Sequence, residues 1–203
     1  MEKIIMVASG KGGTGKSTFS VFCGSALASR GLRVLLVELD SGLRSVDVIA
    51  GVCGKTVYDI QDVLSGKCDG DKAIVQSSLY ENLFIISAPY EGDEVNGQAM
   101  VAFCGKMKSH FDVILIDTAA GMGVPFKAAA SVSKLAIVVV NPDPVCLRDG
   151  KLVTDFLVEN GLENIRLVIN KVPMDRLKKC PISNLDECID TVCAQLLGVI
   201  GYS

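Results

Sequence analysis

The sequence predicts an α/β fold with a mostly parallel central sheet of about seven strands, flanked by helices on both faces. Three observations predict it. Short apolar runs of strand length alternate with longer amphipathic segments along the whole chain. The composition is 49% apolar against 21% charged, as expected where a parallel sheet is covered on both sides. A glycine loop, GKGGTGKST at 10–18, stands between the first apolar run and the first helical one.

The elements follow in order. Strands are expected at KIIMVAS (3–9), RVLLVEL (33–39), LFIISA (83–88), FDVILID (111–117), KLAIVVV (134–140), RLVIN (166–170) and LLGVI (196–200). Helices are expected at 16–30, 58–65, 96–109, 124–132, 145–160 and 185–196. This alternation argues for βαβ units joined by right-handed crossovers. No internal repeat, low-complexity tract or Pro/Gly/Ser linker interrupts it, so residues 1–203 read as a single domain.

Composition excludes several function classes. No stretch approaches the roughly 20 apolar residues that span a bilayer; LAIVVV at 135–140 is strand-sized. The N-terminal MEKIIMVASG carries an acidic residue and runs straight into a strand, unlike a secretory leader. A net charge of −3 and a pI near 5.2 leave no footprint for non-specific nucleic-acid binding. Eight cysteines occur at 23, 53, 68, 104, 146, 180, 188 and 193, with no C-x-x-C pair. Without an export signal they are expected to be reduced and to pack as small hydrophobes. A metal or cluster site shared between subunits is the alternative.

The loop carries the chemistry. Gly10, Gly15, Lys16 and Ser17 fit G-x-x-x-x-G-K-[ST], with a strand before and an apolar-periodic helix after. Backbone N–H groups must approach phosphate oxygens closely, which side chains would block; Gly10, Gly12, Gly13 and Gly15 keep that approach open. The following helix aims its positive N-terminus at the phosphates. Lys16 is placed for the β and γ oxygens and Ser17 for Mg²⁺. The nucleotide-binding set is therefore Gly10, Lys11, Gly12, Gly13, Thr14, Gly15, Lys16, Ser17 and Thr18. Lys11 is superfluous to this scheme, because it comes too early to serve the same phosphate from the same side as Lys16. A solvated loop lysine is the plain alternative.

K-G-G-T-G-K-S resembles the deviant Walker A box of the MinD/ParA family of ATPases, and the rest of the chain is similar to the MinD branch. The resemblance implies that Lys11 reaches across an ATP-dependent homodimer to the partner's phosphates, a charge supplied in trans like an arginine finger. ELDSGLRSVDVIAG (38–51) resembles the family's switch I, making Asp40 the residue that orients the attacking water and contributes to the Mg²⁺ shell. Glu38 stands where an aspartate is usual and Ser45 where an asparagine is usual; neither is assigned a role. FDVILIDTAAG (111–121) resembles the Walker B strand, with Asp117 bound indirectly to Mg²⁺ and Gly121 in switch II. Ala119 replaces the family's proline there, which should loosen the turn.

VVVNPDPVCLRDGKLVTDFL (138–157) resembles a segment that in the family forms dimer and partner surface, although an ordinary covering helix explains its apolar positions equally well. Asn170 in RLVINKV resembles an adenine-contacting asparagine, whose amide can donate and accept together; a strand-end cap is the other reading. The resemblance runs from residue 3 to about 200 and stops short of the family's C-terminal segment, which in MinD includes a membrane helix. The acidic LDECIDTVCAQL (185–196) is no substitute for that helix.

The expected function is thus an ATP-binding and ATP-hydrolysing dimerisation switch using Mg²⁺, with Lys11, Lys16 and Asp40 as catalytic residues and Ser17, Asp40 and Asp117 at the metal. Its implied output is spatial positioning, such as division-site selection, through a regulatory protein partner. The implied location is the cytoplasm, with membrane attachment only through a segment this sequence does not contain; nucleic acid is not an expected partner. The only histidine, His110, reads as a solvated surface residue. Two other readings compete: a nucleotide-binding partner module with little hydrolysis, and a nitrogenase-reductase-like or cluster-carrying relative. The second needs cysteines in the loops APYEGDEVNG and TAAGMGV, which contain none.

Overall fold

The computed structural model describes residues 3–42, 44–92, 95–173 and 184–202. Among the described residues eight strands form one sheet in the order β3-β4-β2-β5-β1-β6-β7-β8, namely β1 (Ile4–Ala8), β2 (Val34–Glu38), β3 (Val75–Gln76), β4 (Leu83–Ile86), β5 (Val113–Asp117), β6 (Leu135–Val140), β7 (Ile165–Pro173) and β8 (Gln195–Tyr202). Every pairing is parallel except β3 with β4. The seven expected strands are all present. The eighth, β3, has two residues, too few to show any period-2 alternation.

The inner strands are apolar on both faces because both are covered. All five residues of β2 (VLLVE) and of β5 (VILID) are buried, and such strands read as continuous hydrophobic runs. One face packs against α1 (Lys16–Ala28) and α2 (Ser45–Ile49) through Val21, Ala28, Val34, Leu36, Val46 and Leu115. The other packs against α5 (Gly97–Met107), α6 (Val124–Val132), α7 (Pro144–Glu159) and α8 (Leu185–Val192) through a larger cluster that includes Met100, Phe103, Phe126, Val153 and Leu157. Two further short helices among the described residues are α3 (Ile60–Leu64) and α4 (Gly70–Ala73); α2 and α4, at five and four residues, are too short to repeat a 3.6-residue stripe and escape sequence reading.

Helix ends follow local chemistry. α3 begins in a capping box, with Asp59 accepting from the Asp62 N–H while the Asp62 side chain accepts from the Asp59 N–H. α8 stops at Cys193, which is left-handed at φ 56, and β8 starts at Gln195. The expected helix over 185–196 is therefore shorter, its last residues turning into the edge strand.

The topology gathers the C-terminal ends of the central strands. Asp117 at the end of β5 lies in register with Val7 of β1 on one side and Glu38 of β2 on the other. The glycine loop leaves β1 at that edge, where open α/β sheets bind ligands.

Candidate functional site

The loop is shaped by close approaches. Gly13 and Gly15 are left-handed, at φ 78 and φ 90, a backbone that glycine adopts without strain. A Cβ on Gly10 would lie 2.4 Å from the carbonyl oxygen of Asp149 in α7, so α7 sets that glycine from outside the loop. Gly15 is also the N-cap of α1, and no side-chain hydrogen bond caps it among the described residues. The first-turn amides of α1 are thus left for an anion.

Behind the loop sits a buried ionic cluster. The Lys16 ammonium lies 3.3 Å from Asp117 Oδ1 and 3.7 Å from Asp40 Oδ2, with its side chain only 6% exposed. Asp117 is fully buried and accepts from Ser17 Oγ and Ser20 Oγ, both at 2.7 Å. Asp40, at the end of β2, is partly open to solvent. Lys16, Ser17, Asp40 and Asp117 therefore converge from two strand ends, those of β2 and β5, and the start of α1. The oxygen-only set of Ser17, Asp40 and Asp117 suits a hard cation such as Mg²⁺. Ser20, one turn beyond Ser17, was not legible as a site residue; its signal is the i, i+3 spacing of hydroxyls on the inner face of α1.

Lys11 is not part of this cluster. Its side chain is about half exposed and lies 3.9 Å from Asp143 Oδ1, while Asp143 also caps α7 by accepting from the Cys146 N–H. Thr18 is exposed in the first turn of α1 and Thr14 is buried. Asn170 grips the back of the loop, its Nδ2 donating to the Thr14 carbonyl at 2.7 Å. Gly121 at the start of the expected switch II is left-handed, and its N–H donates to the Ser9 carbonyl, tying that loop to the phosphate loop despite Ala119. His110 is exposed.

Glu38, unassigned from sequence, is a buried second layer. Its Oε1 accepts from the Val46 N–H at the start of α2. Burial pushes its carboxyl up to about 7, and the charges of Asp117 and Asp47 push the same way. Asp47 in turn accepts from the Ser87 hydroxyl and pairs with Arg44, whose guanidinium stacks 4.3 Å from the Tyr90 ring centroid. The folded-state value of Glu38 lies above the ordinary carboxylate value, so the native state binds the extra proton and stability falls as pH rises from about 4.5 to about 7. Glu38→Gln is expected to flatten that slope and to be the more stable form at pH 8, read by denaturant unfolding at pH 5 and pH 8.

Seven cysteines are free thiols among the described residues; Cys180 lies outside them. Burial pushes Cys104 up to about 12 and raises Cys23 and Cys146, which suits inert core thiols. Among the described residues no three His, Cys, Asp or Glu side chains gather as a metal cluster, and no helix is long and apolar enough to cross a membrane.

A parallel sheet whose central strand feeds a glycine loop, a buried lysine and a helix N-terminus defines a P-loop nucleoside triphosphatase. Comparison with known proteins narrows the class. An AAA domain family model matches residues 2–170. The septum site-determining protein MinD of Bacillus subtilis is 34% identical over 204 residues, spanning 98% of this chain and 76% of the relative. The MinC:MinD cell division protein complex of Aquifex aeolicus superposes with a TM-score of 0.91 at 30% identity, covering 99% of this chain and 82% of that one. MinD of Pyrococcus horikoshii, complexed with Mg-ADP, gives 0.87 at 29% identity, covering 100% and 82%. The chain belongs to the MinD family of septum site-determining ATPases.

Proposed function

We propose that the chain binds and hydrolyses ATP with Mg²⁺ and works as a dimerisation switch in the selection of the cell-division site. The observation that carries this is the Lys16 ammonium held between Asp117 and Asp40 beneath an uncapped helix N-terminus. That arrangement offers one positive charge and a row of amides to a polyphosphate, and two carboxylates with a hydroxyl to a cation. The Mg-ADP complex of the Pyrococcus relative supports the same ligands here. Ser17, Asp40 and Asp117 would hold the cation, which would supply positive charge against the negative charge that develops on the phosphates.

The chain's own groups divide the remaining work. Lys16 sits at the β and γ oxygens. Asp117 accepts a hydrogen bond from Ser17 Oγ and so fixes the hydroxyl that would hold the cation. Asp40, the one partly exposed carboxylate of the cluster, orients the attacking water. Asn170 has two amide hydrogens; one holds Thr14, and the other is the donor for adenine. Lys11 serves the active site of a second copy. The MinC:MinD complex of the Aquifex relative supports a regulatory protein as partner.

Binding and turnover separate this reading from its rival, a nucleotide-binding module without hydrolysis. Titration with Mg-ATP and Mg-ADP should give saturable binding. Phosphate release should depend on Mg²⁺, cease with EDTA, and disappear in Asp40→Ala with binding kept. Saturable binding with no release in wild type would favour the module.

A further inference from the structure

We propose that Lys171 is a positioning residue for the phosphate loop, its ammonium holding the Gly13 carbonyl so that the neighbouring amides stay turned toward the phosphates. The inference rests on the nucleotide-binding reading above and adds a residue that reading does not use. The register of β7 against β8 slips between Ile169 and Val172. Ile169 pairs with Val199 and Val172 with Gly201, so Asn170 and Lys171 together oppose a single residue. Such a bulge re-aims side chains that a regular strand would send elsewhere.

Both re-aimed side chains land on the loop. Asn170 Nδ2 donates to the Thr14 carbonyl and Lys171 Nζ to the Gly13 carbonyl, each at 2.7 Å. The Lys171 N–H closes the clasp by donating to Asn170 Oδ1 at 2.9 Å. A loop that presents its amides to an anion must turn its carbonyls the other way, and those carbonyls need donors of their own. The charged donor on Lys171 is the stronger of the two. Gly15 makes room for this contact: a Cβ there would meet Asn170 Nδ2 at 2.3 Å.

The backbone shows that the side chain is what matters. Lys171 is left-handed at φ 58, a conformation in which a Cβ crowds the following carbonyl and which glycine adopts freely. A residue that keeps its side chain in such a conformation at a binding site is a candidate for function. The lysine is exposed, so no core packing requires it.

The test uses the full chain as wild type, Lys171→Ala, Lys171→Arg and Lys171→Gly, titrated with Mg-ADP and with a non-hydrolysable ATP analogue. Lys171→Ala and Lys171→Gly are expected to weaken both nucleotides about five- to tenfold and by the same factor, since the loop cradles phosphates present in each. Lys171→Arg keeps a charged donor and should stay within about twofold of wild type. Without nucleotide, Lys171→Gly should melt no lower than wild type, because strain is relieved. Unchanged affinity in Lys171→Ala would overturn the inference. So would a loss confined to the triphosphate, which would mean a direct γ-phosphate contact. A clear drop in the melting temperature of Lys171→Gly would make the residue structural and overturn it too. If wild type binds neither nucleotide, the nucleotide reading falls and takes this inference with it.

Discussion

Lys16→Ala is expected to lower affinity for Mg-ATP by at least about 100-fold, because a desolvated ammonium aimed at phosphate oxygens is among the strongest single contacts a side chain offers. The same substitution should disturb the empty protein. Lys16 is the cation 3.3 Å from Asp117, and Asp117 is fully buried. Breaking a buried pair by removing one partner costs about 3–5 kcal/mol, since an uncompensated charge is left behind. The loss should fall at or below that range, because Ser17 and Ser20 still donate to the carboxylate. The double variant Lys16→Ala/Asp117→Asn separates the two effects. It should regain most of the stability, measured by denaturant unfolding, without regaining nucleotide affinity. If Lys16→Ala bound ATP as wild type does, the assignment of the ammonium to the phosphates would be wrong.

How much of this was legible beforehand depends on the length scale of each signal. The seven longer strands, six helices and the loop carry patterns that a one-dimensional reading detects, either periodicity or a spacing enforced by phosphate geometry. β3, α2 and α4 last for little more than one period of their own pattern, too short to repeat it, and left no trace. Lys16, Ser17, Asp40 and Asp117 were nameable as a set because three of them end strands or start a helix at one edge of a parallel sheet. Their partners were not. Ser20, Asp143 and Asp149 act through contacts that depend on where α1 and α7 lie in three dimensions. Glu38 looked like a departure from the family pattern. In the structure it reaches the start of α2, a second-layer role that its longer side chain allows. Asn170 was expected at the adenine. One of its amide hydrogens goes to Thr14 and its Oδ1 accepts from the Lys171 N–H, contacts to the loop that arise from a bulge no sequence motif announces.

In light scattering, wild type is expected to be monomeric with Mg-ADP and dimeric with Mg-ATP, and Lys11→Ala to remain monomeric with ATP while still binding it. The physical ground is the contrast between the loop's two lysines. Lys16 is buried and fixed; Lys11 is about half exposed and, among the described residues, is held by one ion pair of 3.9 Å. Exposed pairs of that kind contribute about 0–1 kcal/mol, so Asp143 can release Lys11 whenever a phosphate on another copy offers more. Turnover should fall by about 1,000-fold or more, the scale of a charge delivered in trans. Asp40→Ala should do the reverse, keeping the ATP dimer and losing hydrolysis. The two substitutions thus place assembly on one residue and chemistry on another. A wild type that binds ATP and stays monomeric would remove the role given to Lys11 and leave a nucleotide-binding core. A dimer that survives Lys11→Ala would keep the switch but assign its trans contact to another residue, with the first turn of α7 around Asp143 the next place to look.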